Sequence, residues 1–191
     1  MNFGVRVALL GLACFCVDLS AQMTNQSMLG VLPLLKTNIT VEQGVQSLLM
    51  NGFVSKGPNG SKQKLLEGMI DSIPVVLTLR KTSKKGKIWG YELLFNNADI
   101  DWQKKRIYID QLAQSINVVN KQNPSVLLKN LPQYCHGIES ECFADGVAKY
   151  HYHWYWNNSV ARIRIMTLRV TPSFKLALSI IDEVLEAELH K

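Results

Sequence analysis

The sequence predicts an α+β fold, an antiparallel sheet of about four strands built as two hairpins, with helices packed on one face. Three observations predict it. Residues 74–80 with 88–95, and residues 149–156 with 160–170, are rich in β-branched and aromatic side chains, and each pair is split by a turn-forming tip. The segments around them repeat apolar residues at helical spacing. The composition is also globular: 191 residues, 47% hydrophobic and 19% charged, exclude a disordered chain, while 12 Gly and 4 Cys exclude collagen-like and disulfide-dense scaffolds.

The first segment reads as an address. One basic side chain, Arg6, precedes the apolar run of residues 7–17, which Asp18 ends. A bilayer core of about 30 Å needs roughly 20 apolar residues, so this run is a secretory leader of residues 1–21, cleaved near Ala21. Processing as a lipoprotein at Cys14 is the alternative route. The chain is then secreted or periplasmic, with no transmembrane segment after leader removal. Arg6 and Asp18 leave together, so the formal charge of +6 survives. Cys14 and Cys16 leave too, and in an oxidising compartment the remaining Cys135 and Cys142 form one disulfide.

Residues 22–39 are a lead-in, and residues 40–191 form one α+β domain, divisible into hairpin-helix units at 40–124 and 125–191. Thr40 and Gln43 match a capping box, Val41, Val45, Leu48 and Leu49 share a helix face, and Gly52 is a left-handed stop before Phe53. Residues 55–61 are turn chemistry, and 62–70 read as a short helix interrupted by Gly68. In the strand at 88–95, Trp89, Tyr91, Leu93 and Phe95 alternate onto one face. Asp99 or Asp101 caps a helix whose stripe is Trp102, Ile109, Leu112, Ile116 and Val119 and which stops before Pro124. Asn157 and Asn158 suit a tight turn. With those two residues as the loop, Trp154 faces Ala161 and Tyr152 faces Ile163, while His153 faces Arg162 and His151 faces Arg164 on the other side. Thr171 and Pro172 then open a C-terminal helix with Phe174, Leu178, Ile181 and Leu185 on its apolar side.

Candidate chemistry centres on that second hairpin. His151 and His153 have the spacing to share a metal, but a catalytic zinc site needs a third protein ligand, and two opposed arginines would repel a cation. Neither a metal nor another cofactor is therefore expected. The sharper reading of His151, His153, Arg162 and Arg164 is an anion-binding strip that strengthens when the imidazoles protonate. Lys81, Lys84, Lys85 and Lys87, with Arg80, and Lys104, Lys105 and Arg106 are further basic clusters, suited to an anionic surface or to protecting a strand edge. The aromatic row from Tyr150 to Trp156 alternates, which favours core packing over a stacking platform. No Gly-X-Ser-X-Gly elbow, His-Glu-X-X-His, phosphate loop or dinucleotide fingerprint occurs.

These features point to an exported, non-enzymatic binding module whose partner is an envelope or extracellular protein or an anionic surface, with nucleic acid not expected. The alternatives are a metal-assisted enzyme using His151 and His153, and a secreted inhibitor or effector docking on a target protein.

Overall fold

A computed structural model describes residues 23–57, 63–82, 85–158 and 162–187, with the backbone alone at 157–158 and 162–164. The expected leader at 1–21 lies outside the described residues. The chain forms strands β1 (Asn25–Gln26), β2 (Val54–Lys56), β3 (Gln63–Ile70), β4 (Ile73–Lys81), β5 (Ile88–Phe95), β6 (Val126–Asn130), β7 (Lys149–Asn158), β8 (Arg162–Val170) and β9 (Leu176–Asp182). Its helices are α1 (Met28–Val31), α2 (Val41–Leu49), α3 (Trp102–Asn120), α4 (Glu139–Ala144) and α5 (Glu183–Ala187). The expectation of about four antiparallel strands is overturned: there is one mixed sheet of nine strands in the order β1-β3-β4-β5-β9-β8-β7-β6, with β2 also on β3. Its parallel pair is β1 with β3. Two antiparallel meanders, β3-β4-β5 and β6-β7-β8-β9, join where β9 pairs with β5.

Local signals hold for α2 and α3. Thr40 accepts from the Gln43 amide while the Gln43 side chain accepts from Thr40, and Gly52 at φ 82° lets the Phe53 amide return to the Leu48 carbonyl. A Cβ on Gly52 would lie 1.8 Å from Thr24 Oγ1 and 3.0 Å from the Thr24 amide nitrogen. Gly52→Ala is therefore expected to cost about 2 kcal/mol, adding a clash to left-handed strain, and a thermal melt checks it. A melt unchanged from wild type would show that this stop is not strained. Asp101 is the α3 cap, accepting from the Lys104 amide at 3.0 Å, and Lys121 ends the helix in the left-handed region.

Four expectations fail for reasons that lie beyond the local sequence. Residues 63–70 form β3, not a helix. Leu66 and Ile70 are buried, and Gly68 between them admits the Phe53 ring, which a Cβ would meet at 2.7 Å. Asp71 and Ser72, both at positive φ, turn β3 directly into β4. The C-terminal helix is replaced by strand β9 with the short α5 after it. Leu176, Leu178 and Ile180 alternate into the core because β5 and β8 offer hydrogen-bonding edges on both sides. Trp89 departs from its face at a register shift opposite Arg80 and Lys81. It lies outside the core cluster, with the Arg80 guanidinium 5.6 Å from its ring.

The second hairpin is paired differently from the tight-turn register. Tyr152 faces Leu168, Trp154 faces Met166 and Trp156 faces Arg164. The shift exchanges the two faces of β8, because an odd slip moves every side chain across the sheet. The strand's alternation changes phase at Ile165–Met166, and the set that includes Met166, Leu168 and Val170 takes the core face.

The aromatic contacts of α3 and α4 lie on that same face. Trp102 of α3 packs on Phe143 of α4, on Tyr150 of β7 and on Phe174, at centroid distances of 5.2, 5.3 and 6.3 Å. Met28, Val31, Leu32 and Leu35 bring the lead-in into the same core. Cys135 and Cys142 are disulfide-bonded with Cα atoms 6.0 Å apart, tying the turn before α4 to α4 itself. The opposite face is open to solvent at Lys149 and Arg169.

Candidate functional site

On the face turned away from the core, His151 and His153 stand side by side on β7. Their ring centroids are 4.7 Å apart at an interplanar angle of 77°, and His153 stacks on Tyr155. The Nδ1 atom of His153 shares a hydrogen bond with the Thr167 hydroxyl at 2.9 Å. Across β8 the partners are Arg169 for His151 and Thr167 for His153, and on β6 they are Leu128 and Val126. The four residues of the expected strip are not brought together, since the register pairs Arg162 with Asn158 and Arg164 with Trp156. Arg169, which the tight-turn register could not reveal, is the cation beside the imidazoles.

Burial pulls both imidazoles below the usual histidine range. His153, Lys149 and Arg169 add to this at His151, and Arg169 adds to it at His153. No carboxylate pairs with Lys149 or Arg169 among the described residues. Nor do three or more His, Cys, Asp or Glu residues gather into a metal-holding group there. His136 lies in the disulfide loop, where Glu139 is engaged by the Gly137 amide at 3.1 Å.

A second cluster lies on the helix side, where Asp110 of α3 meets β6 and β7. Asp110 Oδ1 accepts from the Tyr150 hydroxyl at 2.9 Å, from the Tyr152 hydroxyl, and from Lys129 Nζ at 3.2 Å. Lys129 Nζ also stands 5.2 Å from each tyrosine ring centroid. Burial, followed by the hydrogen bond to Asp110, pushes the Tyr152 hydroxyl up. Burial works against the charge of Lys129, but its hydrogen bonds with Tyr152, Tyr150 and Asp110 outweigh it and hold the ammonium charged. Beside the cluster is an open cavity of about 320 Å³ lined by Trp102, Arg106, Asp110, Lys129, Leu131 and Tyr150. With its oxygens occupied by hydroxyl and ammonium donors, Asp110 is an anchor rather than a free base.

Sequence reasoning missed this cluster. The available signal was an aspartate next to the α3 stripe and two tyrosines on a strand's core face. It also placed Lys105 in a surface patch, whereas Lys105 is fully buried and its ammonium donates to the carbonyls of Phe174 and Ala98. Lys105 follows Trp102 by three residues and precedes Ile109 by four, so the spacing that defines the stripe already included it.

The molecule so described is a helix-backed sheet with a cationic outer face. Comparison with protein-family models, curated proteins and solved structures found no match.

Proposed function

We propose that this protein is a non-enzymatic binding module that works outside the cytoplasm and holds an anionic partner on the face of β7 and β8 turned away from the core. The observation that carries this reading is the group Lys149, His151, His153 and Arg169, gathered on adjacent strands with no carboxylate among them. Such a group presents a positive field to an anionic envelope surface or an acidic extracellular protein. The disulfide and the absence, among the described residues, of a helix long and apolar enough to cross a membrane are compatible with secretion or a periplasmic setting. Binding is favoured over catalysis because the most elaborate polar cluster, at Asp110, spends its groups on one another.

The reading makes binding pH-dependent. An anion beside the imidazoles favours their protonated forms, so affinity rises as pH falls through the depressed histidine range. Stability of the free protein moves the opposite way. Protonating imidazoles with lowered folded pKa values costs free energy, so stability is full near neutrality and declines below about pH 6.5. Lys149 and Arg169 are the charged groups facing the pair, since β6 contributes Val126 and Leu128 there.

Retention on a dextran sulfate column tests the proposal. The protein should elute at higher salt at pH 5.5 than at pH 7.5, and Lys149→Gln with Arg169→Gln should lower the elution point at both. Equal elution of wild type and double variant would remove the proposed surface.

A further inference from the structure

We infer that the β6 edge is a self-association surface, through which two copies of this chain join their sheets by antiparallel β6–β6 pairing. The two edges of the sheet are treated differently. Among the described residues, the β3 side ends in β1 and β2, strands of 2 and 3 residues, whereas the other side ends in β6, a strand of 5 residues that pairs with β7 alone. All five β6 residues are exposed, and three in succession are aliphatic: Val126 at 45%, Leu127 at 51% and Leu128 at 37%.

Edge strands left open usually carry an outward charge, a proline or a bulge that prevents pairing. Here Pro124 precedes the strand, and the single charge within it, Lys129, is drawn onto Asp110 and the two tyrosine rings of its own subunit. The paired strand is free of bulges, with an unbroken register from Val126 to Asn130. An edge of this kind offers a row of backbone donors and acceptors with no side-chain defence.

The occupant is a second copy because the strand is complementary to itself. An antiparallel pair centred on Leu128 sets Leu128 against its symmetry mate, Leu127 against Lys129, and Val126 against Asn130. No like charges are opposed: Leu128 meets Leu128, Val126 meets an amide side chain, and Leu127 meets the alkyl stem of Lys129. The two-fold axis is perpendicular to the sheet, so the core faces of both copies stay on one side and the outer faces on the other. The two-fold pairing uses the same edge of both copies, so the association closes at two copies and does not run on into a fibre.

The dimer has a consequence for the outer face. The β7 strands of the two copies would be separated by three strand spacings, about 14 Å. The Lys149, His151, His153 and Arg169 groups then flank one seam, and a single anionic surface engages both at once, with the gain in avidity that linkage provides.

Sedimentation velocity of the purified protein over a hundredfold concentration range tests the inference. The expected result is a species of twice the chain mass that dissociates on dilution, with the β6 amides protected from hydrogen exchange only in the dimer. Leu128→Lys places two ammonium groups on the axis and should give a monomer. Val126→Lys, at the strand end, should weaken the dimer at least tenfold. Leu128→Val should preserve it, and circular dichroism confirms that each variant is folded. A protein monomeric at every concentration would overturn the inference, as would a dimer unaffected by both lysine variants. A wild-type monomer that captures a foreign β-strand peptide at this edge would also overturn self-pairing.

Discussion

Trp154→Ala is expected to destabilise the protein by about 4 kcal/mol, a large fraction of the stability of an ordinary domain. Trp154 is fully buried on the core face of β7, opposite Met166. Its ring stacks on Tyr152 at 5.8 Å, and its Nε1 donates to Asn117 Oδ1 of α3 at 2.9 Å. Truncation therefore removes the apolar area of the largest core side chain, leaves a cavity under α3, and strands the Asn117 carbonyl oxygen. Trp154→Phe separates these terms. It keeps a ring and loses the hydrogen bond, so it should cost roughly a third as much. Urea denaturation followed by circular dichroism measures both. If Trp154→Ala cost less than about 1 kcal/mol, the packing of α3 across β7 would be wrong.

Lys105 carries the second large effect. Its ammonium is buried over the Phe174 ring, 3.3 Å from the centroid, and donates to the Phe174 and Ala98 carbonyls. These contacts tie the start of α3 to the turn that leads into β9. Lys105→Ala removes the donor from two carbonyls and opens a cavity, with an expected loss of about 3 kcal/mol. Lys105→Met retains the volume and removes only the donor and the charge, so it should cost less.

Burial lowers the pKa of Lys105 to about 8, with Asp99 and Asp101 opposing the shift. The sign of the pH effect follows. The folded state binds its proton less tightly than the unfolded chain does, so the burial penalty is fully present below about pH 8 and is relieved as pH rises towards the ordinary lysine value near 10.4. Wild type should therefore gain stability relative to Lys105→Met between pH 8 and pH 9.5, measured as the difference in urea midpoints. Taking that difference cancels the tyrosines, which titrate alike in both proteins. A constant difference across this range would show that the ammonium is not desolvated.

How much of the molecule was legible depended on whether a segment carried one periodicity or two. The capping box at Thr40, the glycine stop at Gly52, the α3 stripe and the strands at 74–80 and 88–95 each gave a single reading, and each formed. The segment that became β9 is different. Leu178, Ile181 and Leu185 fit a helix, while Leu176, Leu178 and Ile180 fit a strand, and nothing within it chooses between them. Residues 63–70 had the same ambiguity. The candidate site was half legible for the related reason that a strand pair can be aligned in two ways. His151 and His153 were visible as a pair, but their cationic neighbour is Arg169 and not Arg162 or Arg164, because β8 presents the other half of its alternation to the core.

Interactions between residues a few positions apart are satisfied within the segment itself, and these the chain specifies directly: helix caps and stops, apolar stripes, alternating strands and a cysteine pair separated by a short loop. Which strand lies beside which, and which face each presents, is a competition among segments for free backbone hydrogen bonds and a shared apolar core. That competition was resolved only in the folded molecule, where the slot between β5 and β8 made a strand of β9 and the core selected Met166, Leu168 and Val170. The burial of Lys105, the shared carboxylate of Asp110 and the open edge at β6 arise in the same way. Each depends on groups distant in sequence that meet only after the sheet has assembled.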